Sequence, residues 1–164
     1  MSAALLVADS DPLIALARLD HLELPARYFE TVLVTATVWE EVTRKPGVDE
    51  APCLASAADA KLIRVVADPE TIPQTLLRTT IDAGERGAIA LGLELDACLL
   101  IDDRRARQVA VELGWPVIGT LGLLLRARED RFFPTLRPLI ERLQATGYYM
   151  PNDLVAEVLA SLGE

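Results

Sequence analysis

Carboxylates end two short apolar runs in this chain: Asp9 follows Leu6-Val7-Ala8, and Asp102 with Asp103 follows Leu99-Leu100-Ile101. In an open parallel sheet, ligands bind beyond the carboxyl ends of the strands, so acids at two neighbouring ends would meet in one crevice. Capping the following helix is the ordinary use of an acid at such a place. Two strands ending alike favour a site over two caps. Two helical stretches supply further acids. In Val38-Trp39-Glu40-Glu41-Val42 the apolar residues mark one face at about 100° per residue; Glu41 falls at its margin and Glu40 nearly opposite. Thr37 and Glu40 have the spacing of a capping box, which gives Glu40 a structural occupation and leaves Glu41 as the candidate. In Asp82-Ala83-Gly84-Glu85-Arg86-Gly87-Ala88-Ile89, Glu85 shares a face with Ala88, Ile89 and Gly92. That small apolar face should pack closely on the sheet and partly desolvate an acid in the first turn. Asp82 and Glu85 also have capping-box spacing and are favoured by the helix dipole, so Glu85 can serve as both cap and site residue.

Oxygen donors alone suit a hard cation. Mg2+ keeps several waters and needs few carboxylates, so an open acidic pocket fits it better than a closed cage. A cation held there would orient a water, lower its pKa and stabilise charge on a phosphodiester. Acids packed this closely would otherwise repel and raise one another's pKa. Such chemistry needs neither histidine nor cysteine. The sole histidine, His21, follows Asp20 near an expected helix end and reads as a surface or capping residue. Cys53 and Cys98 form no CxxC pair, which argues against a structural disulfide and a cysteine zinc site.

The elements that would position these acids alternate. Residues 4–8, 32–34 and 97–101 are apolar runs too short for helices, and they read as buried parallel strands; 62–66 and 116–118 add two more, the last with a proline that places it at a strand start or an edge. Helical patterns cover 12–19, after the cap-like Ser10 and Asp11, then 37–43, 50–60, 84–95 and 104–113, which stops at Gly114 as a C′ residue. From about residue 120 the chain is wholly helical, over 121–128, 134–146 and 152–162. The expected fold is α/β, three layers (α/β/α) around a mostly parallel central sheet, as one domain over 1–164 with a helical C-terminal extension.

Composition agrees. A chain of 164 residues that is 51% hydrophobic and only 5% aromatic can build one core of Leu, Val, Ile and Ala. Its net charge of -9 argues against a general nucleic-acid coater, which would carry a basic surface, but not against an enzyme that handles RNA locally. The apolar start at residues 1–8 lacks a basic flank and reads as a strand rather than a signal peptide. No apolar run approaches the roughly 20 residues that span a bilayer. A cytoplasmic protein with no membrane partner is expected. Neither a P-loop nor a dinucleotide-binding glycine pattern occurs.

These stretches together resemble the PIN-domain nucleases, in particular the VapC-like toxin group with a helical C-terminal extension. The likeness is carried by Val7-Ala8-Asp9-Ser10-Asp11-Pro12-Leu13-Ile14, Val38-Trp39-Glu40-Glu41-Val42, Asp82-Ala83-Gly84-Glu85-Arg86-Gly87-Ala88-Ile89-Ala90, Leu100-Ile101-Asp102-Asp103-Arg104-Arg105-Ala106-Arg107 and Val117-Ile118-Gly119-Thr120-Leu121-Gly122, and it runs from about residue 3 to the end. Each motif alone is weak; their order and spacing are specific. The resemblance implies a metal-dependent endoribonuclease using Mg2+ (or Mn2+). By position, Asp9 matches the family's first acid, Glu41 the second, Glu85 the third, and Asp102 with Asp103 the last; Asp9, Glu85, Asp102 and Asp103 are then the metal ligands. The third acid is more often aspartate in the wider family, and position 11 is usually small; here Asp11 is a ligand, a cap or a neutral change. Ser10 would hydrogen-bond a metal-bound water or cap its helix. Arg104, Arg105 and Arg107 could meet RNA phosphates, although a solvated helix face is the simpler role for at least one. The resemblance also implies a small antitoxin partner and a homodimer.

Two other readings fit parts of the pattern. Asp9-Ser10-Asp11 has the DxD spacing of a haloacid-dehalogenase-type phosphatase, with Thr35 as hydroxyl and Asp102-Asp103 as metal pair. Lys45 and Lys61 are poorly placed for that chemistry, and Glu41 and Glu85 would be idle. A catalytically inactive PIN-like module that binds RNA or protein is the non-enzymatic reading, against which the full set of acids speaks.

Overall fold

The computed structural model describes residues 4–45 and 47–164; Met1, Ser2 and Ala3 of the apolar start lie outside the described residues, as does Pro46. Strands β1 (Leu5–Ala8), β2 (Thr31–Thr35), β3 (Arg64–Val66), β4 (Cys98–Leu100) and β5 (Val117–Ile118) form one sheet in the order β3-β2-β1-β4-β5. Every pairing is parallel, with Leu6 beside both Val32 and Cys98. The apolar runs lack polar alternation because both faces are covered. Leu6, Ala8, Val32, Val34 and Leu100 point into one core, and Val7, Leu33, Leu99 and Ile101 into the other, the period of two of an extended chain.

On the first face lie α1 (Ser10–Arg18), α3 (Ala36–Thr43), α4 (Ala51–Asp59), α8 (Thr120–Glu129), α9 (Arg137–Ala145) and α10 (Asn152–Ser161), through buried residues such as Leu16, Val42, Leu54, Leu124, Leu143 and Leu159. On the second lie α6 (Ala83–Leu95) and α7 (Arg104–Glu112). The approach of α6 is close: a β-carbon on Gly92 would stand 2.4 Å from Leu99 Cδ2. The expected three-layer α/β/α arrangement is what forms.

The strand order matters for function. From β1 the chain builds outward through β2 and β3, then returns to place β4 and β5 on the other side of β1. The strand order therefore reverses between β1 and β4, and the crevice beyond that point is where such sheets bind ligands. Asp9 follows β1 and Asp102 follows β4.

Differences from the sequence reading are local. Helices α2 (Leu24–Tyr28) and α5 (Gln74–Leu77) were not expected; at five and four residues they are too short to leave a periodic pattern. Helix α9 begins at Arg137 rather than at residue 134. Pro116 does precede an edge strand, and Gly114 follows α7 with φ +72°. No helix among the described residues is long and apolar enough to cross a membrane.

Candidate active site

Asp9 extends the β1–β4 pairing by one step, its N–H donating to Leu100 O at 3.0 Å. It stands at the N-cap position of α1, yet its side chain makes no capping bond. Capping is thus not what the carboxylate does. The residue is 4% exposed. Burial pushes its carboxyl up to about 8; the Ser10 backbone N–H works against this, and repulsion from Glu85, Asp11 and Asp82 adds to it.

Asp102 is gripped from two later parts of the chain. Its Oδ1 accepts from Thr120 N at 2.7 Å, and its Oδ2 accepts from Thr120 Oγ1 at 2.5 Å and from the Tyr148 hydroxyl. Asp103 has a structural task as well: it caps α7, accepting from Ala106 N at 2.8 Å. Arg107 folds inward and donates to Ile101 O at 3.0 Å, whereas Arg104 and Arg105 are exposed. Room for Arg107 beside Asp102 comes from Gly119, where a β-carbon would stand 2.5 Å from Arg107 Nη1 and 3.0 Å from Asp102 Oδ1.

Glu41 is half-buried at the margin of the face that buries Val38 and Val42, and Ser10 Oγ donates to its Oε2 at 2.5 Å. Ser10 is therefore not a cap; it ties the first acid's helix to the second acid. Glu40 points to solvent and pairs with Arg44 at 3.2 Å. The expected Thr37–Glu40 capping box does not form. Thr35 caps α3 through Val38 N, while Thr37 turns its N–H and hydroxyl to Asp68 at 3.0 and 2.6 Å. The N-cap lies two residues earlier than the capping-box spacing suggested, and the choice of Glu41 over Glu40 rests on the face alone.

At the start of α6 the capping box is real. Asp82 accepts from Glu85 N at 2.8 Å and Glu85 Oε2 accepts from Asp82 N at 3.0 Å. Even so, burial raises the Glu85 carboxyl, with repulsion from Asp82, Asp103 and Asp11 adding to it against the Asp82 backbone bond. Asp11 makes no cap. Solvent reaches the residue, yet desolvation by the surrounding protein and repulsion from Asp102, Asp103, Asp82 and Glu41 push its carboxyl up.

The acids singled out in the sequence thus lie near enough to repel, Asp9 and Glu85 with each other and with Asp11 and Asp82, and Asp11 with Asp102, Asp103 and Glu41. Among the described residues, no three side chains already stand together as a ready-made metal cage. The donor set is nonetheless all oxygen, mutually repelling and partly desolvated, which fits a hard divalent cation that keeps much of its water. His21 sits elsewhere, its Nδ1 2.9 Å from Glu23 Oε1 and its ring edge-on to Phe132 and Phe133. Cys53 and Cys98 are free. Tyr148 is the functional neighbour that the sequence reading missed, because nothing in the local pattern of the tail says that it reaches Asp102.

A family model described as a PIN domain matches residues 5–164. Among solved structures, a PilT N-terminus domain protein from Sulfolobus solfataricus is similar in fold, with a TM-score of 0.53 and 20% identity over 75% of this chain and 92% of its own. No curated protein matches the chain significantly.

Proposed function

Because the chain belongs to the PIN-domain family, a superfamily of metal-dependent nucleases, we propose that it is an endoribonuclease that hydrolyses RNA phosphodiester bonds with Mg2+ (or Mn2+). One observation carries this reading: the fold keeps Asp9 buried among other acids, with its carboxyl raised to about 8, at the strand-order reversal. Holding acids in that arrangement costs stability, and a bound cation would relieve it.

Asp9, Glu85, Asp102 and Asp103 would hold the ion, with Glu41 completing the catalytic set. The bound ion would supply a Lewis acid and a water of lowered pKa. Ser10 fixes the direction of Glu41. Arg107, beside Asp102, and the exposed Arg104 would meet substrate phosphates in this reading. The phosphatase alternative is not retained: the matched family is one of nucleases, and Glu41 and Glu85, idle in that reading, stand with the other acids.

The finer role proposed is that of a VapC-like toxin acting in the cytoplasm as a homodimer, neutralised by a small antitoxin. The motif order and spacing along the sequence support it.

Labelled single-stranded RNA incubated with the protein tests the reading. Cleavage is expected with Mg2+ or Mn2+ and not with chelator present. Glu41→Gln should lose ~100-fold or more of the rate, and Glu40→Gln should change little. Ion binding without cleavage under any of these conditions would leave a PIN-like binding module instead.

A further inference from the structure

The tail of the chain reaches the acids through one side chain. Tyr148 lies between α9 and α10, directly after Gly147, whose φ of +86° turns the chain out of α9. Its hydroxyl donates to Asp102 Oδ2, beside the bond from Thr120 Oγ1. Thr120 N holds the other oxygen, Oδ1. A carboxylate has about four lone-pair directions, so three fixed donors leave about one for anything else.

The chain that follows Tyr148 is held at two points. Met150 is buried in the same core as Val155 and Leu159 of α10. Glu164, after α10, accepts from the N–H groups of Leu136 and Arg137 at 2.8 and 2.9 Å and from Arg128 Nε at 3.0 Å, which ties the end of the chain to α8 and α9. Tyr149, the neighbour of Tyr148, points to solvent at 83% exposure. The two adjacent tyrosines are used differently, and only the one aimed at a candidate ligand is half-buried.

We propose that Tyr148 is a positioning residue of the metal centre: with Thr120 it locks Asp102 in the orientation that turns the free lone pair toward the cation. This rests on the metal-dependent reading above. It also makes the helical extension a part of the site, since Asp102 cannot be held this way by the sheet alone. A phenol present only to fill space would leave ion affinity unchanged. A phenol that blocked the ligand would weaken ion binding, and its removal would strengthen it.

Tyr148→Phe separates these cases, because the ring and its packing remain. Mn2+ binding by isothermal titration should weaken about tenfold, while metal-free melting stays near that of the unaltered protein. Adding Mn2+ to the unaltered protein should perturb the tyrosine ultraviolet difference spectrum, and that signal should vanish in the variant. Thr120→Val, which removes only the hydroxyl donor, should weaken Mn2+ binding in the same direction. Unchanged Mn2+ affinity in Tyr148→Phe, with or without a lowered melting point, overturns the proposal, and so does tighter binding. Absence of Mn2+ binding in the unaltered protein would overturn the metal-dependent reading itself, an outcome distinct from either.

Discussion

Glu41 and Gly84 are in direct contact across α3 and α6. A β-carbon on Gly84 would lie 2.7 Å from Glu41 Oε1 and 3.2 Å from its carboxyl carbon. The second candidate acid therefore occupies space that a glycine leaves open, one residue before the third candidate, Glu85. Ser10 holds the other oxygen of the same carboxylate. Glu41 is thus placed between the first turns of α1 and α6, where the backbone N–H groups of two helix ends favour negative charge.

Gly84→Ala should separate stability from activity. The atom it crowds is the end of a flexible side chain, so the carboxylate can swing away without moving the backbone. Alanine is better than glycine inside a helix by about 1 kcal/mol, although Gly84 is only in the first turn. Metal-free melting should therefore stay level or rise. RNA cleavage should fall by about tenfold or more, because Glu41 is no longer where Ser10 holds it. Cleavage equal to that of the unaltered protein would show that the position of Glu41 does not matter.

The strand-end acids were legible because apolar runs such as Leu99-Leu100-Ile101 stop abruptly at charge, and a parallel sheet sends such ends to one edge. Glu41 was legible from its helix face. The helix boundary behind it was not: Thr35 and Thr37 are both competent caps, and only the fold shows that Thr37 is taken by Asp68. Tyr148 lies 46 residues beyond Asp102, and their bond depends on how α8 and α9 return across the sheet face. Contacts of that kind carry no local pattern. The inward turn of Arg107, next to the exposed Arg104 and Arg105, is equally a product of packing against Gly119.

Asp103 tests how far a cap and a ligand can share one carboxylate. It accepts from Ala106 N at 2.8 Å at the start of α7. Asp103→Ala should cost about 1 kcal/mol of stability as well as activity, whereas Asp103→Asn keeps a side-chain oxygen of equal capping ability. The asparagine variant should melt with the unaltered protein yet lose about tenfold in cleavage, if the negative charge helps hold the ion. Thermal melting beside the rate of RNA cleavage checks both; full activity in Asp103→Asn would reduce the residue to a cap.

Asp9 makes metal-free stability depend on pH in a direction opposite to that of a salt-bridged acid. Its carboxyl is raised to about 8 in the folded chain from an ordinary value of 3.8. Between those values the folded state binds more protons than the unfolded one, so stability falls as pH rises through the window. Below it both states are protonated and no penalty exists; above it the penalty is complete. Burial raises Asp11 and Glu85 as well, which adds in the same sense. Asp9→Asn removes the largest contribution, and its melting temperature should gain on the unaltered protein between about pH 5 and pH 8. For a chain of this length each kcal/mol moves the midpoint by roughly 2–4 °C, so the gain should be several degrees. The asparagine amide can shift both curves by a constant amount, which is why the widening with pH is the quantity to measure, in chelator and by thermal scan at each pH. Parallel curves would show that Asp9 is already ionised in the metal-free fold, and the strained carboxylate on which the cation argument rests would be gone.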